Sequence, residues 1–336
     1  MKKVILILLI LIIGAGAGAY YYLPGYLSGT FNSEPVEIEV KSGDNLSTVA
    51  EELFGEGVIK SVYWFRYNGQ EIATKIKPGK YTIEPGMDID EIFQLIQKGE
   101  QEIPVVVTFP EGYILYQFAQ KIEEAGFGSV DEFIETSKIL FEERYSDGVD
   151  TDDLYFELEG YLFPDTYHFS KKHTIKDIVK ILADKMDSVW SEDIESKRIE
   201  LGLSRHQVLT IASLIEREAY NDSERERISG VIFNRIGLNM PLQIDATVIY
   251  GIGLGKEHMT RVLYADLEKY NPFNTYMVNG LPPGPIASPG LASIVAAVNP
   301  EQHDYLYYVM GKDGHVFAKT YNEHLKNVEE YRKLQQ

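Results

Sequence analysis

The segment Ile211-Ala-Ser-Leu-Ile-Glu-Arg-Glu-Ala219 sets two carboxylates on an otherwise apolar stretch with helical spacing. At about 100° per residue, Val208, Ala212, Ile215 and Ala219 form one buried stripe, and Glu216 and Glu218 flank it on opposite sides, each roughly 80° from its centre. A half-desolvated carboxyl in such a place keeps its proton toward neutrality and can act as a general acid. Periodicity does not choose between the two. The chain downstream is dense in neutral polar groups: Gln243, Asp245, Thr247 and Tyr250 alternate with apolar residues, and Asn271-Pro-Phe-Asn-Thr-Tyr276 adds Asn274 and Tyr276. Gly280-Leu-Pro-Pro-Gly-Pro285 and Ser288-Pro-Gly290 then restrict the backbone without regular structure, which suits the wall of a cleft. Amides, hydroxyls and tyrosines of this kind recognise a polyhydroxylated or N-acetylated sugar through neutral hydrogen bonds.

Other chemistries fail on spacing. The seven histidines show no His-Glu-x-x-His or His-x-His pattern, so no metal site is expected. Ser288 has Ile286 where a nucleophile elbow needs glycine, and Gly251, Gly253 and Gly255 before Lys256 lack the strand, helix and Ser/Thr of a phosphate loop. With no cysteine there is no disulfide, thiolate or zinc-thiolate chemistry. No cofactor motif is present. Thirty-two Lys and Arg against 51 Asp and Glu leave a net charge of −19, which repels a nucleic-acid backbone.

The elements that must position these residues read as α+β. Three segments run strand, turn, helix: from Val36 through Leu53, from Lys80 through Ile96, and from Val105 through Ile122. Asp88 with Glu91, Ser129 with Glu132 and Ser204 with Gln207 have the spacing of helix caps. Helices are predicted over Ile175–Leu201 with an interruption near Glu192, over Arg205–Tyr220, Glu224–Arg235 and Leu291–Val298. A hairpin is predicted around Gly311-Lys-Asp-Gly314.

Lys2 and Lys3 precede an uncharged run from Val4 to Leu23, long enough as a helix to span roughly 30 Å of hydrocarbon. This predicts a single-pass transmembrane anchor over residues 1–23 with a cytoplasmic N-terminus and an extracytoplasmic remainder. Ala17-Gly18-Ala19 offers the alternative of a cleaved signal peptide. Residues 24–35 read as a short tether.

The ordered motifs Leu158-Glu-Gly-Tyr-Leu-Phe-Pro-Asp-Thr-Tyr167, Ala212-Ser-Leu-Ile-Glu-Arg-Glu218, Asn234-Arg235, Leu242-Gln-Ile-Asp245, Asn274-Thr-Tyr276 and Gly280-Leu-Pro-Pro-Gly-Pro-Ile286 resemble those of the endolytic murein transglycosylase family, also called YceG-like. The resemblance implies a membrane anchor, a LysM-like subdomain over 36–104 and a mixed α+β catalytic domain over 105–336. Ser42-Gly-Asp-Asn-Leu46 is similar to a LysM opening, whereas Gly55 to Lys77 departs from that module. The family resemblance implies lytic cleavage of peptidoglycan glycan strands after N-acetylmuramic acid, leaving a 1,6-anhydro end, with Glu216 as catalytic acid. It further implies sugar contacts at Tyr161, Tyr167, Gln243, Asn274 and Tyr276, termination of nascent strands, and company with wall-synthesis and division proteins. Glu159, Asp165 and Asp245 keep open a hydrolytic muramidase. A tethered, non-catalytic wall scaffold is the remaining alternative.

Overall fold

The computed structural model describes Tyr20 and residues 22–99, 104–256 and 262–334. The fold is mixed α+β, and the chain divides into two compact units, residues 1–103 and 104–336. The apolar run expected to span a membrane lies almost wholly outside the described residues; among those described, no helix is long and apolar enough to cross one.

In the first unit, β1 (Val36–Val40) pairs antiparallel with β2 (Gly79–Ile83), Val36 opposite Ile83 and Val40 opposite Gly79. Strand alternation turns Ile38, Val40, Tyr81 and Ile83 to one buried face. Helix α1 (Leu46–Gly55) covers that face with Val49, Ala50 and Leu53, and α3 (Ile89–Lys98) with Ile92, Phe93 and Ile96. Between them runs α2 (Val62–Asn68), anchored by Phe65. The cap at Asp88 forms as its spacing predicts: its side chain accepts from the amides of Asp90 and Glu91, and Glu91 accepts from the Asp88 amide. Residues 24–35 do not hang free as a tether. The Thr30 amide donates to Met87 O, the Phe31 amide to Val58 O, and Asn32 Nδ2 to Ile83 O. Composition alone does not show these bonds, because the acceptors lie up to 57 residues away in loops and at a strand end.

In the second unit, β3 (Val105–Thr108) pairs antiparallel with β4 (Thr166–Phe169). The strand–turn–helix segments thus do not form one repeated sheet: β1 and β2 pair with each other, and β3 takes a partner distant in sequence. Helices α4 (Leu115–Glu124), α5 (Val130–Arg144), α6 (Ile175–Val189) and α7 (Glu192–Glu200) follow, with Ser129 capping α5 and Ser191 restarting the chain at α7. Helix α8 (Arg205–Glu218) opens on the Ser204–Gln207 capping box and is buried continuously from His206 to Ile215, apart from Gln207. The expected single stripe is too narrow, because α9 (Arg225–Gly237), α10 (Asp245–Ile252) and α12 (Leu291–Ala297) pack around it. Its inward hydroxyls stay satisfied along the helix, Thr210 donating to His206 O and Ser213 to Thr210 O. The short α11 (Tyr264–Leu267), the hairpin β5 (Tyr307–Met310) and β6 (His315–Ala318), and α13 (Tyr321–Leu334) complete the unit.

Candidate active site

The last turn of α8 separates the two glutamates that periodicity left equivalent. Glu216 turns to the start of α12: its Oε2 accepts from the Gly290 amide at 3.0 Å and faces Arg225 Nη1 at 3.3 Å. Arg225 is also held by Asp222 and by Ser293 Oγ. Glu111 lies against the same place, its carboxyl raised by burial and then by the charge of Glu216. A β-carbon on Gly290 would fall 1.8 Å from Glu111 Oε1, so a larger residue here would push the Glu111 carboxyl aside. Glu216, which the family resemblance implies as catalytic acid, is thus held by contacts to α9 and to the start of α12.

Glu218 turns the other way, into a cleft of about 320 Å³ walled by Arg235, Gln243, Asp245, Tyr276 and Tyr308 among others. Its Oε2 accepts from Tyr308 Oη at 2.9 Å. Burial pushes its carboxyl up to about 7, aided by the negative charge of Asp245 and opposed by the Tyr308 hydrogen bond, Arg217 and Arg235. Its place as the last residue of α8 adds the negative end of the helix dipole, which also favours the protonated form. A carboxyl that holds a proton near neutrality and faces a cleft is what general-acid catalysis requires.

Several elements hold that cleft open. Arg235 on α9 donates to Leu306 O, Pro241 O and Leu242 O, and stacks on the Tyr307 ring at 5.1 Å. Gln243 adopts φ 52°, a left-handed conformation that non-glycine residues rarely take, and its amide donates to Thr275 O. Tyr276 Oη donates to Asp245 Oδ1 at 2.7 Å, fixing that carboxylate at the start of α10. The hairpin is pinned by Glu224, which accepts from the His315 amide and from His315 Nδ1 at 2.8 Å. The His315 ring meets Tyr308 edge-on, 5.2 Å between centroids.

Of the five predicted sugar contacts, Gln243 and Tyr276 line the cleft. The other three are corrected by burial. Asn274 is fully buried and donates to Leu267 O and Lys269 O while accepting from the Tyr276 amide. Tyr167 donates to Phe163 O inside the core. Tyr161 is 1% exposed and donates to His206 Nδ1, whose Nε2 in turn donates to Pro283 O. Burial lowers the His206 pKa, which keeps that relay neutral and lets it anchor the proline segment. The same segment is tied to α8 by the Ile286 amide on Ser213 Oγ.

Among the candidate second carboxylates, Asp165 is exposed and pairs with Lys185. Glu159 is buried, accepting from the Leu115 amide at the start of α4 and from Tyr250 Oη. Only Asp245 shares the cleft with Glu218. Burial lifts the Glu159 carboxyl to about 8, against 4.5 for a free side chain. The folded protein therefore retains a proton that the unfolded chain releases, and stability is expected to fall as pH rises from about 5 through 8. Glu159→Gln should flatten that part of a melting-temperature profile against pH; an unchanged slope would show that Glu159 is already ionised in the fold.

Sequence reasoning missed Tyr307, Tyr308, His315, Tyr321 and His324, which close the cleft from the C-terminal region. The alternation in Tyr305-Leu-Tyr-Tyr-Val309 marks a strand and nothing more. Among the described residues no group of three or more His, Asp or Glu is placed to hold a metal ion.

Comparison with known proteins bears on this arrangement. The YceG-like family model matches residues 38–330, which takes in both units and every residue of the cleft. The chain belongs to the YceG-like family. It is 37% identical over 91% of its length to the endolytic murein transglycosylase of Bacillus subtilis, covering 89% of that protein. It is 30% identical over 93% of its length to the endolytic murein transglycosylase of Streptococcus pneumoniae R6, of which it spans 61%. A crystal structure of a YceG-like protein from Listeria monocytogenes superposes with a TM-score of 0.62 at 32% identity, covering 88% of this chain and 99% of that one. The mixed α+β architecture of this YceG-like chain is therefore shared with a solved relative.

Proposed function

We propose that the protein is a peptidoglycan lytic transglycosylase that cuts within glycan strands, with Glu218 as its acid. The observation that carries this reading is a protonatable carboxyl facing a cleft of amides, hydroxyls and aromatic rings, in a chain whose relatives bear the name endolytic murein transglycosylase. Glu218 gives its proton to the glycosidic oxygen as the bond to the anomeric carbon breaks. The resulting carboxylate then takes the proton of the sugar's own C6 hydroxyl while that oxygen bonds to the anomeric carbon. The product is a 1,6-anhydro end and the acid is restored. Because the nucleophile belongs to the substrate, no second catalytic carboxylate is required, in contrast to ordinary glycosidases. Asp245, held by Tyr276, faces the same space and stabilises positive charge as it develops on the ring.

The charge pattern of Lys2, Lys3 and the run Val4–Leu23 supports a single-pass anchor in the cell membrane, with the catalytic unit outside the cytoplasm. An endolytic cut beside the membrane suits the termination of nascent strands in the company of wall-synthesis and division proteins.

Incubation with uncrosslinked glycan strands tests the activity. Mass spectrometry is expected to show shortened strands ending one water lighter than hydrolysis products; full-mass ends would make it a muramidase, and uncut strands a scaffold. The rate should fall above pH about 7 as Glu218 loses its proton. Tyr308→Phe removes a hydrogen bond that favours the charged form, so the basic limb of kcat/KM is expected to move to higher pH. A limb that stays in place would separate Tyr308 from the acid.

A further inference from the structure

The segment that leads into the first unit is laid on the fold, and its apolar side chains are left outside. From Val4 to Ser33 no residue carries a charge, in a chain where a quarter of all residues do. Residues 22–28 are helical, and Ser28 Oγ donates to Pro24 O and accepts from Trp64 Nε1 on α2. Gly29 bridges to Asp88, and Thr30, Phe31 and Asn32 then bond to the carbonyls of Met87, Val58 and Ile83. With the backbone held in this way, Tyr22 is 82% exposed, Leu23 50%, Tyr26 53% and Phe31 39%. Tyr22 and Tyr26, four residues apart, share one face of the short helix. The Tyr26 and Phe31 rings meet at 5.5 Å between centroids, and Lys60 lies over both, 4.7 and 4.1 Å away, with Nζ donating to Tyr26 Oη at 2.6 Å. Lys60 makes no ion pair among the described residues.

Rings with an apolar body and a hydroxyl tip, beside a cation with no acidic partner, match the layer where lipid headgroups meet acyl chains. The patch continues the run Val4–Leu23 with no charged residue between, so the bilayer entered by that run is the apolar surface nearest to it. We propose that this face of the first unit docks on the lipid bilayer. Tyr22, Leu23, Tyr26 and Phe31 enter the headgroup layer, and Lys60 meets lipid phosphate. The proposal rests on the single-pass anchor. A free linker over residues 24–35 would let the first unit stand off by roughly 20 Å. Bonded to Val58, Ile83 and Met87, the segment leaves no such slack, and the first unit is seated on the membrane. The net charge of −19 disfavours anionic lipid, so the contact is apolar in character.

The chain has two tryptophans, and Trp190→Phe leaves Trp64, bonded to Ser28, as the sole reporter. The full chain is reconstituted in phosphatidylcholine vesicles in which part of the lipid bears a nitroxide on its headgroup. Trp64 fluorescence is expected to be quenched, in high salt as in low, because an apolar contact is not screened. Tyr22→Ser, Tyr26→Ser and Phe31→Ser together are expected to abolish the quenching and leave thermal unfolding unchanged, since these side chains are exposed. Lys60→Glu sets an acid against lipid phosphate and is expected to weaken the quenching by itself, a readout that does not depend on the triple variant. Vesicle flotation is followed in parallel. A chain that floats with Trp64 unquenched overturns the docking and leaves the anchor standing. A chain that does not float removes the anchor, and the docking with it. Quenching that survives the substitutions gives the contact to another face. Loss of self-association with quenching untouched gives the aromatic patch to a second copy of the chain, and either result overturns the proposal.

Discussion

Glu218→Gln is expected to lower strand cleavage by about 10³-fold or more, near the upper range of general-acid contributions, while the protein stays folded. The amide has the shape of the carboxyl and still accepts the Tyr308 hydroxyl, so the walls of the cleft remain in place. It has no acidic proton to lend, and a sugar oxygen is a poor leaving group without one. Exchanging a buried ionisable group for a neutral one also removes a penalty that builds up as pH rises from about 5 to about 7 and is present in full above that, so the variant should melt at or above the wild-type temperature in alkaline buffer. Product masses over a time course decide the matter. Cleavage within tenfold of the wild type would mean that the proton comes from elsewhere.

The second large effect falls on stability. Glu216→Ala should destabilise the catalytic unit by about 3 kcal/mol, the low end for breaking a buried ion pair. It strands Arg225 and the Gly290 amide, although Asp222 and Ser293 still hold part of the guanidinium. Calorimetry would read this as a drop of roughly 6–12 °C for a unit of this size. Glu216→Gln keeps an acceptor for both donors and is expected to retain cleavage to within about tenfold. A folded Glu216→Gln protein with no activity would return the catalytic role to Glu216 and refute the assignment made from geometry. The pair of glutamine variants is therefore the decisive comparison, since the two side chains sit two residues apart on the same turn.

Much of the scaffold was legible along the chain. The caps at Asp88, Ser129 and Ser204, the break near Glu192 and the terminal hairpin depend on neighbours within a few residues, and local sequence carries that information, whereas the proline-rich segment, irregular as expected, does not line the cleft. The polar side chains that alternate with apolar ones around Gln243 and Tyr276 mark a candidate site, and the fold brings both residues to one cleft.

What local pattern could not supply is the direction in which a side chain leaves its element relative to distant ones. Tyr161 and Asn274 have the chemistry of sugar contacts, yet Tyr161 is spent on His206 and Asn274 on the carbonyls of Leu267 and Lys269. Residues 24–35 have the composition of a tether, yet their donors find acceptors in the loops and strand of the first unit. The choice between Glu216 and Glu218 is of the same kind. On an isolated helix they are mirror images about one stripe. In the fold, Arg225 and the Gly290 amide take one, while Tyr308 and the cleft take the other. Residue type and spacing determined that an acid would stand at the edge of a buried helix. Only the packing of α9, α12 and the hairpin gives the two carboxyls different surroundings, and the proton affinity of a carboxyl is set by the charges, donors and solvent that the rest of the chain places around it.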